Sequence, residues 1–297
     1  MKVLSFNTWL LEAPIFGFNL AKDLNSRLKQ LPQKLVDIGA DIIFLQEVWK
    51  PKFTNFLAKE LLLKGYYSSH DHTGKLARMG NGLMIFSKFP FNNKCDVFSF
   101  RNFTRADESF CKKGILIDYI NHPKIGEILL ANTHLGAANF NPLFGPNLTH
   151  LERQLEQKKE LVRFLKSTVN KSQHFIFGAD LNIHDHPWDI ENKSYNLERL
   201  NFGYEMITQE LNLTDSYRQI HSNKNDLNYK GDTYSSQNPY TKGLTNAGFS
   251  ADERVDYLFI KKNGDLNVLK SETIFKDKLD SQHFLSDHYG VLSTLEY

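Results

Sequence analysis

Asp41-Ile42-Ile43-Phe44-Leu45-Gln46-Glu47 sets four large apolar residues in a row and then turns polar. An apolar run this short reads as a buried strand, with Glu47 lying just past its end. Ahead of it, Leu24, Leu28, Leu31, Leu35 and Ile38 place a helical stripe on residues 20–38, which Gly39 stops. The order returns later in the chain. Leu151, Leu155, Val162 and Leu165 mark a helix over residues 148–168, with Glu152, Arg153, Glu156, Lys158 and Lys159 toward water. The strand at 175–177 then delivers Asp180-Leu181-Asn182. Two halves, each a helix feeding a strand that ends in an acid, favour an α+β four-layer sandwich: two packed, mainly antiparallel β-sheets flanked by helices.

Residues 3–6 read as a strand leaving the core at Asn7-Thr8, and residues 52–63 as a second helix closing at Gly65. Short strands are expected at 83–86, 96–100, 115–120 and 127–132, the last running on to Thr133-His134. A short helix near 200–211 precedes a polar stretch, 222–251, with no obvious element, and residues 254–260 and 289–295 read as closing strands. No linker, charge block or low-complexity tract divides the chain, so residues 1–297 are read as a single domain.

Composition narrows the function. With 36 basic and 34 acidic residues the net charge is +2, so no global field advertises nucleic acid and no stable nucleic-acid partner is expected. Cys95 and Cys111 match no metal spacing; one bridge in a secreted chain and two thiols inside a cell both fit. No apolar run approaches the ~20 residues that span a bilayer, and the opening Met1-Lys2-Val3-Leu4-Ser5-Phe6 reads as a strand rather than a signal peptide. The expectation is a soluble chain, cytoplasmic or secreted with any signal absent, peripheral at membranes. G-x-S-x-G is absent, and Gly80-Asn81-Gly82 and Gly178-Ala179-Asp180 match neither a P-loop nor a dinucleotide fingerprint.

Asn7, Glu47, His134, Asp180, Asn182, Asp256, Asp287 and His288 all fall at or near strand ends. Carboxylates and amide oxygens without thiolates form a hard cage suited to Mg²⁺ or Mn²⁺ rather than zinc. Two histidines beside it can move protons near neutral pH. Such parts suit metal-assisted attack of water on a phosphate ester. A lone Glu47 at a strand end would ordinarily only cap or face solvent; its company is what changes the reading. His184 and His186 complete no ligand set.

Six ordered motifs carry a resemblance: Phe6-Asn7-Thr8-Trp9, Leu45-Gln46-Glu47-Val48, Asn132-Thr133-His134-Leu135, Gly178-Ala179-Asp180-Leu181-Asn182, Arg254-Val255-Asp256-Tyr257 and Ser286-Asp287-His288-Tyr289. Together they resemble the endonuclease/exonuclease/phosphatase superfamily over nearly the whole chain. Within it, Asn7-Thr8-Trp9-Leu10-Leu11, Lys113-Gly114-Ile115-Leu116 and Thr133-His134-Leu135 followed by a helix with Arg153, Gln154 and Gln157 are more similar to neutral sphingomyelinases. The resemblance implies Mg²⁺-dependent hydrolysis of sphingomyelin to ceramide and phosphocholine. It gives Glu47, Asn7 and Asp287 to the metal, makes His288 the general base with Asp256 as its orienting partner, and sets Asp180 and Asn182 around phosphate and water. His134 stabilises developing charge or helps the leaving oxygen depart. The family's Gly-Asp-Leu-Asn carries an added alanine here, Ala179, which bears on the turn. A nuclease or phosphoinositide phosphatase of the same fold, and a non-catalytic lipid-binding module, remain as alternatives. Two apolar loops, Leu10 to Phe18 and Ala137 to Pro146, follow proposed catalytic strands; in them Phe16, Phe18, Leu143 and Phe144 are candidates for contact with a phospholipid surface.

Overall fold

A computed structural model describes residues 1–12, 14–15, 18–19, 21–71, 79–92, 94–104, 111–137, 140–141, 145–146, 148–183, 198–241, 252–279 and 283–297. The chain opens with β1 (Lys2–Leu10), β2 (Pro14–Ile15), β3 (Phe18–Asn19), α1 (Leu24–Ile38), β4 (Ile42–Val48) and α2 (Pro51–Leu62). It continues through β5 (Tyr67–His70), β6 (Met84–Ser87), β7 (Asp96–Ser99), β8 (Gly114–His122), β9 (Gly126–His134), β10 (Phe140–Asn141) and β11 (Gly145–Pro146). The second half holds α3 (Leu148–Lys171), β12 (His174–Asp180), α4 (Glu198–Glu210), β13 (Leu213–Asp215), α5 (Ser216–Ile220), β14 (Asp256–Lys261), β15 (Asn267–Ile274) and β16 (Gly290–Glu296).

Two six-stranded sheets result, in the orders β15-β16-β1-β4-β6-β5 and β13-β14-β12-β9-β8-β7. Each contains one parallel pair, β1 with β4 and β9 with β12; every other neighbouring pair is antiparallel. Strand alternation explains how the layers close. Val3, Ile42, Phe44, Leu130, Ile176 and Leu258 meet between the sheets. Their sequence neighbours turn outward, Leu4, Ile43 and Leu45 onto α1 and α2, Leu129, Phe175 and Phe177 onto α3 and α4. This is the four-layer α+β sandwich the sequence pattern predicts. The sheets approach so closely at one point that a Cβ on Gly178 would lie 2.4 Å from Cγ of Phe44, which is why glycine stands there.

Several local expectations shift. Helix α1 begins at Leu24 rather than residue 20, because Asp23 before it takes φ 53 and breaks the helical path. The two apolar loops each carry a small two-stranded ribbon, β2 with β3 and β10 with β11. Phe16, Leu143, Phe144, His184 and His186 lie outside the described residues, and Phe18 begins β3. Among the described residues of the 222–251 stretch there is no named strand or helix. Tyr234 nevertheless forms bridges to both Glu253 and His288. No disulfide joins Cys95 to Cys111. No helix among the described residues is long and apolar enough to cross a membrane.

Lys158 corrects the reading of α3. It does not face water but is 2% exposed, its side chain laid against Gly203 of α4, where a Cβ would sit 2.4 Å from the lysine Cδ. The glycine leaves room for the stem, and burial pushes the ammonium down to about 7. The unfolded chain binds that proton below an ordinary lysine pKa of about 10.4, whereas the folded chain resists it until near 7, so folding stability is lost as pH falls across that window. Lys158→Met is therefore expected to raise unfolding stability at pH 7 by on the order of 2–4 kcal/mol and to gain little at pH 11. Denaturant melts at the two pH values check this; an equal gain at both would contradict it.

Candidate active site

Toward the C-terminal ends of β1, β4, β9 and β12 the layer between the sheets changes from apolar to polar. Continuing the inward positions past Val3, Phe44, Leu130, Ile176 and Leu258 brings up Asn7, Gln46, Asn132, His134, Asp180 and Asp256, all buried. Register then makes them neighbours: Asp180 is the partner of His134 on one side and of Asp256 on the other. The extra Ala179 does not distort this ladder; it packs outward in the apolar cluster under α3 and leaves Asp180 inward.

Glu47 breaks the parity. Gln46 points inward, so an unstrained Glu47 would turn toward the helices with Ile43 and Leu45. Its φ of 63 and the register shift between β1 and β4, with Trp9 at φ 47, re-aim it toward the cleft. Non-glycine residues held this way cost of order 1–3 kcal/mol each and gather at functional sites. Asn182, at φ 49, is a third such residue at this end of the molecule.

One amide joins the two sheets at the cleft. Nδ2 of Asn7 donates to Oε1 of Glu47 at 3.1 Å and to Oδ2 of Asp180 at 2.8 Å. The Trp49 indole donates to Glu47 as well, at 3.4 Å. Beside them Nδ1 of His288 lies 2.8 Å from Oδ2 of Asp256. One ligand atom each from Asp180, Asp256 and His288 falls within 4.8 Å of the others, and Ser286 donates to Asp287 at 3.2 Å. Asn182 turns its amide to the Leu135 carbonyl at 2.9 Å, while its backbone N–H donates to Asp180.

The charges here are strained in opposite directions. Burial, reinforced by Asp256, pushes the Asp180 carboxyl up to about 7, and burial lifts Asp287 to about 6. Burial and the Lys113 ammonium hold His134 well below the ordinary imidazole value. Burial also pulls on His288, but Asp256 and Asp287 outweigh it and raise it well above that value. Lys113 Nζ lies 3.1 Å from Nε2 of His134 and donates to the Leu135 carbonyl at 2.9 Å, so a cation flanks that imidazole, with Asp180 Oδ2 3.4 Å from the same Nε2. Two imidazoles with opposed proton preferences are a site fit for acid–base work. Hard oxygen donors, carboxyls lifted first by burial and then by a neighbouring carboxylate, and an Asp256 Oδ1 with no hydrogen-bond partner among the described residues together fit a divalent cation. Sequence patterns give no role to Lys113, Trp49, Arg27 or Tyr234; Lys113 alone stands in a motif, second of the Lys112-Lys113 pair at the head of an apolar strand.

Carboxylates, amides and two imidazoles from both sheets thus meet at one end of the sandwich. A sequence profile of the endonuclease/exonuclease/phosphatase family matches residues 4–288, and the chain belongs to that family. It is 30% identical over 193 residues to an inositol phosphosphingolipids phospholipase C of Schizosaccharomyces pombe, covering 62% of this chain and 41% of that protein. With the Homo sapiens sphingomyelin phosphodiesterase 2 it shares 24% over 287 residues, 93% of this chain and 61% of that one. The chain thus spans less than two thirds of the length of both. Among solved structures, D. rerio TDP2 complexed with a single-strand DNA product superposes with a TM-score of 0.68 at 16% identity, over 100% of this chain and 99% of the other. That likeness concerns the fold.

Proposed function

We propose that residues 1–297 act as one Mg²⁺-dependent phosphodiesterase domain, with Mn²⁺ able to substitute, that hydrolyses sphingomyelin to ceramide and phosphocholine at a phospholipid surface. The observation that carries the chemistry is the Asn7 amide shared by Glu47 and Asp180 beside the Asp256–His288 pair. The relatives support the choice of sphingolipid.

Glu47, Asn7 and Asp287 would hold the cation, which would supply neutralisation of the phosphodiester and of charge developing in the displacement. His288, its Nδ1 tied to Asp256, presents Nε2 to a water and takes its proton. The water oxygen bonds to phosphorus while the P–O bond to ceramide breaks in line; the departing oxygen takes up a proton from solvent, His288 returns its own there, and ceramide and phosphocholine result. Asp180 and Asn182 border the phosphate and water. Lys113 brings to that side the positive charge that neutral His134 lacks, and His134 steadies the phosphoryl oxygens.

The test uses sphingomyelin vesicles, plasmid DNA and a soluble inositol phosphate, each with Mg²⁺ and with EDTA. Phosphocholine released from the vesicles only with Mg²⁺ is the expected result. Cleavage of DNA or the inositol phosphate alone would replace the substrate reading with the nuclease or phosphatase one. Inertness toward all three would leave a lipid-binding module.

Membrane contact makes a separate prediction. Replacing Phe16, Phe18, Leu143 and Phe144 together by Ser is expected to lower activity on vesicles about tenfold or more while sparing a soluble phosphodiester, since each buried aromatic or leucine contributes roughly 1.5–3 kcal/mol. Equal losses on both substrates would count against it.

A further inference from the structure

Arg27 lies on the inner side of α1, fully buried, where sequence periodicity gives only a polar interruption of a leucine stripe. Burying a guanidinium costs several kcal/mol unless its donors are met. Here they are met by four backbone carbonyls. Nε donates to Lys22 O at 2.9 Å, Nη1 to Thr8 O at 2.9 Å and to Leu285 O at 3.1 Å, and Nη2 to Trp9 O at 2.8 Å. One face of the guanidinium rests 4.9 Å from the Trp9 ring, with the Tyr240 ring 5.8 Å away.

The places joined are telling. Thr8 and Trp9 form the irregular end of β1, where the register with β4 shifts next to Glu47. Leu285 immediately precedes Ser286-Asp287-His288. From another part of the chain, Nδ2 of Asn238 donates to the next carbonyl of that loop, Ser286 O, at 2.8 Å. The loop bearing Asp287 and His288 is thus gripped at two successive carbonyls, one of them in common with the strand end beside Asn7 and Glu47. No other side chain has the five forked donors needed to reach four carbonyls at once, and lysine in its place keeps the charge but not the fork.

We infer that Arg27, with Asn238 as a second tether, is a positioning residue that fixes the loop carrying Asp287 and His288 against the end of β1, so that the cleft is assembled before metal or substrate arrives. The inference takes the site as read above, but its test needs neither sphingomyelin nor metal.

Hydrogen exchange is followed on metal-free protein for wild type, Arg27→Lys and Asn238→Ala. The amides to watch are His288, which donates to Ser286 Oγ at 3.2 Å, and Tyr289, which donates to Thr233 O at 2.7 Å. Both variants are expected to speed exchange at these amides about tenfold or more while the β8–β9 ladder keeps its protection. With Mg²⁺ and whichever phosphodiester the wild type cleaves, Arg27→Lys is expected to lose about 100-fold in kcat with KM within threefold, the signature of misplaced reacting groups. Unchanged exchange at residues 288 and 289 in folded variants would overturn the inference. So would loss of protection spread evenly over both sheets, or failure of both variants to fold, since either makes the contacts part of the core rather than of the site. A wild type inert toward sphingomyelin would refute the substrate reading and leave the exchange result standing.

Discussion

Glu47→Gln is expected to abolish metal-dependent turnover while the protein stays folded. The change keeps the size of the side chain and its contact with the Asn7 amide, which donates to Oε1 at 3.1 Å, but removes the negative charge that the strained backbone at φ 63 aims into the cleft. A neutral amide holds a hard divalent cation poorly, so the several kcal/mol of charge stabilisation it supplies is lost, about 10³-fold or more in kcat. Calorimetric titration with Mg²⁺ should show binding weakened or absent, with an unaltered circular dichroism spectrum. Normal turnover with unaltered metal affinity would refute the assignment.

Asp256→Asn is the second large effect. The Asp256 carboxylate faces Nδ1 of His288 at 2.8 Å, fixing the tautomer that leaves Nε2 free to accept a proton. An asparagine can present its N–H to the same nitrogen and so favour the wrong tautomer; in a comparable acid–histidine pair such a swap costs about 10⁴-fold in kcat, and a loss of 10³ to 10⁴ is expected here. The pH profile should move as well. Asp256 and Asp287 raise His288 above its ordinary value, so the base is freed of its proton only at higher pH. Removing one of the two carboxylates lowers that value, and the residual activity of the variant should begin to rise at lower pH than the wild type's. A small loss with an unshifted acidic limb would show that the pair orients nothing.

The sandwich was legible from the order of elements, a helix feeding a short apolar strand that ends in an acid, met twice along the chain. In the structure Ile42, Phe44 and Gln46 face one way and Ile43 and Leu45 the other, and the same alternation over 175–180 turns Asp180 inward, a choice of face that a run apolar on both sides does not reveal. Convergence of Asn7, Asp180 and Asp256 follows from it. What parity conceals is the turning of Glu47, which depends on a left-handed backbone and a register shift that leave no mark in residue type. The edge strand β15 was hidden for another reason: Lys270 and Glu272 give it the look of a loop, and its inward Ser271, bonded to Ser293, is polar as well. Lys158 was misjudged, and Arg27 passed over, because a helical pattern assigns charge to water. In both cases the fold supplies what the pattern omits, carbonyls for one and the space over Gly203 for the other.

Glu47, reaching across to the other sheet through Asn7, is expected to help hold one divalent cation within reach of His288. Crystals of the protein soaked in Mn²⁺ and measured at the manganese absorption edge should show an anomalous peak in the cleft about 2.1 Å from a Glu47 carboxylate oxygen. Manganese bound elsewhere, with nothing beside Glu47, would contradict it.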